Sequence, residues 1–298
     1  MSLVKNIVLI EELKKVIYAN KHINKYYSKV YPNTKYSLDD ILDELIFILE
    51  TGVSFKKHRG KIKGDTLRFH FNRFNKFGIF GKLKNKISTL YKKKVNIIGL
   101  SEDPKPQTYS IDSTHALNVN GIKGTGRNSL FKGKRGIKVS TIVDKKGFII
   151  SSIVKKANHH DITFAKRHIK ELKKKLDDNK IPYKITKTSK FILADSAYDS
   201  KDLRKFIIDN GFIPLIYRNK RNIKNEQNIQ KLTSDEIKIY KERSIVETCF
   251  SWMKKNKRIK ELNEKRIKAY NGFLNLAICK INISVINRLT NHYTNKTN

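Results

Sequence analysis

The hydrophobic pattern of this chain changes period once, across residues 92–107, and that change limits the folds open to it. Before it, apolar residues recur at helical spacing. Ser37 followed by Asp40 reads as a capping box, Leu38, Ile41, Leu45 and Ile48 form one stripe, and Thr51-Gly52 closes the helix. A second helix is expected after Asp65, with Leu67, Phe71 and Phe74 at i, i+4 and i+7 and Gly78 as its stop. Lys92-Lys93-Lys94, Pro104 and Pro106 then interrupt the periodicity. Beyond them come strand patterns at Tyr109–Thr114, Gly136–Asp144 and Gly147–Val154, the last two joined as a hairpin. A helix over about 163–178, a strand over 190–195, a helix over 200–210 and a strand over 212–217 follow. Long helices are expected over about 234–257 and 268–289. This order predicts the α/β class: a mixed sheet flanked by helices, preceded by a small all-α domain. The expected division is 1–91 (helical), 92–107 (linker) and 108–298 (sheet domain with C-terminal helices).

Charge narrows the function. The chain has 298 residues with 64 Lys+Arg against 27 Asp+Glu, a formal charge of +37. Such a chain repels itself until a polyanion neutralises it, and nucleic acid does that best. An acidic secreted enzyme and a disulfide-stapled domain are excluded; the two cysteines, Cys249 and Cys279, both fall in helical patterns. No apolar run approaches the roughly 20 residues of a membrane span. The first fifteen residues lack the cleavage site of a signal peptide, so an intracellular protein with no membrane partner is expected. The helix pair before residue 80, with Arg68, Arg73 and Lys76 on its second member, fits a helix-turn-helix DNA reader. It fits a plain helical dimerisation bundle as well.

Because carboxylates are scarce, their positions carry information. Asp112 interrupts the first strand of the sheet domain. Asp195 ends the apolar run Phe191-Ile-Leu-Ala194, a pattern that suits a strand buried on both faces whose carboxylate lies at the sheet edge. Singly, each is more readily a turn or capping residue. A pair at strand positions of one sheet, joined by a helix carboxylate, could hold two Mg²⁺ about 4 Å apart. On an uninterrupted 234–257 helix, Tyr240, Arg243, Glu247 and Lys254 fall on a stripe about 60° wide. Beside it lie Ile239, Val246, Phe250 and Met253. The alternative is that Arg243 and Glu247 form an i, i+4 ion pair on a solvated face.

Here the sequence resembles the DDE transposases of bacterial insertion sequences, most closely insertion sequence family five and its family-four-like relatives. Their Tyr-x2-Arg-x3-Glu-x6-Lys signature stands without gaps at Tyr240, Arg243, Glu247 and Lys254. Ala194–Ser200 is similar to the second acidic motif and Ile111–Thr114 to the first. Arg135-Gly136-x-Lys138, Asp144-x2-Gly147, Ala157-Asn158-x-His160-Asp161 and the basic segment Pro214–Asn222 also fit, so the match covers roughly 109–286. In the N-terminal part, His58-Arg59 stand where Leu-Pro is common.

The resemblance implies an RNase H-like catalytic fold. It also implies that Asp112, Asp195 and Glu247 ligate two Mg²⁺, with Mn²⁺ as a substitute, to cut DNA at inverted-repeat ends and transfer the strands. Tyr240, Arg243, Lys254, Arg218, Lys220 and Arg221 would contact DNA, and a homodimer or higher synaptic complex would join two transposon ends and the target. The expected location is DNA-associated: bacterial cytoplasm or nucleoid, or a nucleus or viral factory. Two other readings compete: a silent, domesticated DNA-binding descendant, and a basic RNA-binding protein, which leaves the spaced acids unexplained. Among remaining features, His159-His160-Asp161 suits loop packing or a DNA-backbone contact better than zinc. Asp199 and Asp202 read as helix N-terminal residues, Lys173–Lys175 as a solvated face, and Trp252 as core.

Overall fold

The computed structural model describes residues 3–28, 35–97, 106–118, 124–128, 132–177, 189–219, 232–264 and 266–297. In chain order the helices are α1 (Leu3–Tyr18), α2 (Lys21–Asn24), α3 (Leu38–Thr51), α4 (Gly64–Lys76) and α5 (Ile79–Ile97). The strands β1 (Gln107–Asn118), β2 (Gly126–Arg127), β3 (Arg135–Asp144) and β4 (Ile149–Lys156) come next. They are followed by α6 (Ile162–Asp177), β5 (Lys190–Ala194), α7 (Lys201–Asp209) and β6 (Ile213–Ile216). The chain ends with α8 (Ser234–Lys241), α9 (Ser244–Lys255), α10 (Lys257–Lys260), β7 (Glu261–Leu262) and α11 (Ile267–Thr297). The whole is a mixed α/β structure with a sheet and flanking helices. By contacts it divides into two compact units, one of 1–91, 116–125 and 252–298, the other of 92–115 and 126–251.

In the first unit, the expected capping box is present: Ser37 accepts from the Asp40 amide while Asp40 accepts from the Ser37 amide. The stripe Leu38, Ile41, Leu45 and Ile48 is buried, and so are Leu67, Phe71 and Phe74 of α4. Each such side chain contributes about 1.5–3 kcal/mol by leaving water. Phe71 stacks on Phe273 of α11 with ring centroids 4.1 Å apart. Gly52 ends α3 in the left-handed region at φ 73°, and a Cβ there would lie 2.9 Å from Lys257 Cβ. Close by, buried Arg258 donates to the carbonyls of Gly52 and Val53 at 3.3 and 3.2 Å, and its Nε donates to Glu264 at 2.7 Å. One guanidinium thereby satisfies carbonyls that the end of α3 leaves without helical partners. Within α11, Ile267–Asn291 is long and apolar enough to cross a membrane by length and composition, although no unbroken apolar run reveals it. Its most apolar part is 67% buried, as a core helix would be.

In the second unit the strands run β2-β3-β1-β5-β6, with β4 also paired to β3. The β3–β4 ladder is antiparallel, and β1–β5 and β5–β6 are parallel. The hairpin turn lies where the sequence places it. Gly147 adopts φ 82°, and Asp144 Oδ1 accepts from the amides of Lys146 and Phe148 at 2.9 and 2.8 Å. Ile137, Val139, Ile192, Leu193 and Leu215 of the strands are buried, as are Phe164 and Ile169 of α6 and Leu203 and Ile207 of α7.

The helix expected over 234–257 is broken. Between α8 and α9, the amides of Glu242, Arg243, Ile245 and Val246 bond to carbonyls three residues back, which tightens the turn there. Thr108 of β1 holds Glu242 by a short hydrogen bond in this stretch. No glycine or proline marks the break in the sequence.

Replacing Arg258 with Met should strand Glu264 and two carbonyls, at a cost of about 3–5 kcal/mol. Urea unfolding should show the midpoint falling, and an unchanged midpoint would contradict the role given to Arg258.

Candidate active site

Strand register explains why Asp112 and Asp195 meet. Ser110 of β1 pairs with Leu193 of β5 in parallel, so Asp112 and Asp195 each stand two residues beyond one rung. Neighbouring strands lie about 4.8 Å apart, which puts the two carboxylates within each other's field. Asp195 also caps the 3-10 turn Ser196–Tyr198, accepting from the Ala197 amide at 2.9 Å. Its capping role and its place at the strand end therefore coexist.

Arg243, in the break between α8 and α9, bridges two of the acids. Its Nη1 lies 3.3 Å from Asp112 Oδ2 and its Nη2 2.7 Å from Glu247 Oε1. The i, i+4 ion pair exists, but it forms part of a bridge reaching the sheet. Val246 and Phe250 of α9 are buried and seat the helix, while Glu247 remains 57% exposed. Tyr240 donates its hydroxyl to the carbonyl of Ala194 at 3.1 Å and meets the Tyr217 ring edge-on at 4.4 Å.

The electrostatics follow from this crowding. Burial raises the Asp112 pKa, the Ser113 amide lowers it, Asp195 and Asp161 raise it, and Arg243 lowers it. The net result is a carboxyl pushed up to about 6. Burial disfavours the Arg243 charge, but Tyr240, Asp112, Glu247 and Asp195 together raise its pKa. The Tyr198 phenol is raised well above its ordinary value, by burial first and then by Asp161, Asp112 and Asp195.

Among the described residues, no three His, Cys, Asp or Glu side chains stand close enough together to hold a metal. The donors nonetheless suit a hard divalent cation. They are carboxylate oxygens, and a guanidinium already stands beside Asp112 and Glu247.

Other predicted residues are placed differently. Lys254 is exposed, two turns beyond Glu247 on α9. Arg218 is 40% exposed and lies 3.7 Å from Asp199. Lys220 and Arg221 fall outside the described residues. Asp199 is more than a helix-start residue: buried, it pairs with Arg204 at 2.8 Å and accepts from the Asn219 amide at 2.9 Å, bracing the segment after β6. Trp252 is half-buried rather than core, with Arg288 over its ring at 5.4 Å. Sequence reasoning missed Ser113 and Lys138 as neighbours of the acids and read Asp161 as a loop residue. Only their occurrence in the matched motifs pointed to them.

A family model described as "Transposase DDE domain" matches residues 103–281, and the chain belongs to that family. A curated relative, "Putative transposase for insertion sequence element IS6501" of Brucella ovis, is 32% identical over 90 residues. That match spans 30% of this chain and 65% of the relative. Among solved structures, a cryo-EM structure of the piggyBac transposase synaptic complex with hairpin DNA aligns with a TM-score of 0.43 and 15% identity. It covers 97% of this chain and 69% of that one.

The raised Asp112 carboxyl makes a signed prediction. The fold favours its protonated form, so this contribution to stability is full below pH 3.8 and is lost as pH rises through about 6. In EDTA, Asp112→Asn should therefore be more stable than wild type at pH 7, by up to about 3 kcal/mol, with the advantage vanishing near pH 4. Thermal denaturation across that range checks it; parallel curves would contradict the assignment.

Proposed function

We propose that this protein is a transposase that cuts DNA at the inverted-repeat ends of its element and joins those ends to a target, with Asp112, Asp195 and Glu247 holding divalent metal. One observation carries the proposal. In a chain of +37 that belongs to the transposase DDE family, Arg243 bridges Asp112 and Glu247, and Asp195 follows the strand paired in parallel with the one that bears Asp112. The sheet supports an RNase H-like reading. Its hairpin strand β3 lies beside β1, parallel β5 and β6 lie on the other side, and acids stand on β1 and at the end of β5.

Mg²⁺ is the proposed ion, with Mn²⁺ as substitute, and the chemistry such ions supply when bound is activation of the attacking oxygen and stabilisation of the leaving one. The chain's own residues do the rest. Arg243, released from its carboxylates, has a planar fork suited to a phosphodiester. Tyr240 holds the strand end that bears Asp195 through the Ala194 carbonyl. Lys254, Arg218, Lys220 and Arg221 add positive charge for the DNA backbone. Two ends must be brought together, so a homodimer or higher synaptic complex on double-stranded DNA is the proposed assembly.

The test is nicking of a labelled duplex carrying the element's own terminal repeat, in Mg²⁺ and in EDTA, wild type beside Glu247→Gln. A site-specific nick that disappears in EDTA and falls about 100-fold or more in the variant, with DNA affinity retained, is expected. Tight binding with no nick in Mg²⁺ or Mn²⁺ would overturn the enzyme reading.

A further inference from the structure

The proposed reaction gives the segment Ala157–Asp161 no task, yet the structure pins that segment firmly. It joins β4 to α6. The Ala157 amide donates to the Gly136 carbonyl at 3.1 Å, and the His159 amide donates to the Lys156 carbonyl at 3.2 Å. Asn158 packs so tightly on β2 that a Cβ on Gly126 would fall 2.3 Å from its Oδ1. Held in this way, the segment delivers Asp161 to two donors. Lys138 of β3, whose side chain is only 9% exposed, places Nζ 3.1 Å from each carboxylate oxygen. The Ser113 hydroxyl donates to Asp161 Oδ1 through a short hydrogen bond. The amide of that same Ser113 donates to Asp112 Oδ1 at 2.7 Å. Asp112 Oδ2 is then the oxygen left facing Arg243.

We infer that Asp161, braced by Lys138, is a positioning residue: through Ser113 it fixes which oxygen of Asp112 is offered to the divalent ion. Asp161 is a poor ligand itself, because both of its oxygens are engaged by internal donors. A buried lysine between β3 and this segment has a clear purpose here, since its two contacts hold the Asp161 carboxylate in place to accept from the Ser113 hydroxyl. The arrangement matches the way outer partners orient metal-binding groups elsewhere, where their loss weakens metal affinity about 10–100-fold.

The inference rests on the metal-binding reading of Asp112, and the experiment separates the two. Mn²⁺ binding to the full chain, followed by the EPR signal of free Mn²⁺, would be measured for wild type, Asp112→Asn, Asp161→Asn, Ser113→Ala, Ser113→Thr and the double variant Asp161→Asn/Ser113→Ala. Melting in EDTA checks that each is folded. Asp161→Asn and Ser113→Ala should each weaken Mn²⁺ binding about 10–100-fold. The double variant should be no weaker than the weaker single, because both act along one path. Ser113→Thr, which keeps the hydroxyl, should restore binding. If Asp161→Asn proves unfolded, Ser113→Ala and its rescue by Thr decide alone. Loss of binding in Asp112→Asn with full binding in Asp161→Asn overturns this inference only, as do losses that simply add in the double variant. Unchanged binding in Asp112→Asn removes the metal reading and this inference together.

Discussion

The bridge from Arg243 to Asp112 and Glu247 is the interaction on which the rest of the site depends. Like charges a few ångströms apart near a protein surface cost on the order of 4 kcal/mol at an effective dielectric of about 20. Asp112 lies on a strand paired with the one that leads to Asp195, and a helix carries Glu247, so a cation between Asp112 and Glu247 offsets part of their repulsion. In this structure the Arg243 guanidinium supplies that charge to Asp112 and Glu247, while burial, more than any neighbouring charge, raises the Asp112 carboxyl.

The backbone around the bridge is built to present it. Parallel pairing of β1 with β5 sets Asp112 and Asp195 at the same level. The break between α8 and α9 turns Arg243 off the regular helical path toward the sheet, while Tyr240, before the break, holds the carbonyl at the end of β5. Buried Val246 and Phe250 fix α9 behind Glu247. Strands and a seated helix therefore support the acids, and the Glu247 side chain remains 57% exposed.

Much of this was legible in the sequence because it is local. The Ser37–Asp40 cap and the Asp144–Gly147 turn have local chemical causes and formed where expected, as did the strands and helices other than the one expected over 234–257. The break at 242–243 has no local mark in the sequence, and the contact made there is remote: Thr108 lies 134 residues from Glu242. Asp199 and Trp252 were misread for the same reason, since their partners, Arg218 and Asn219 for one and Arg288 for the other, are set by packing and not by spacing. Arg258 reaching Gly52 and Val53 likewise leaves no trace in any periodicity. The acids themselves stood out by scarcity, whereas the Lys138–Asp161–Ser113 chain joins three distant segments and became visible only in three dimensions.

The most direct test of the central claim is anomalous diffraction from crystals of the protein soaked in Mn²⁺. The account predicts metal density within about 2.2 Å of carboxylate oxygens of Asp112 and Asp195, with the Arg243 guanidinium displaced from Asp112. Density elsewhere, or an intact Arg243 bridge at saturating Mn²⁺, would contradict it.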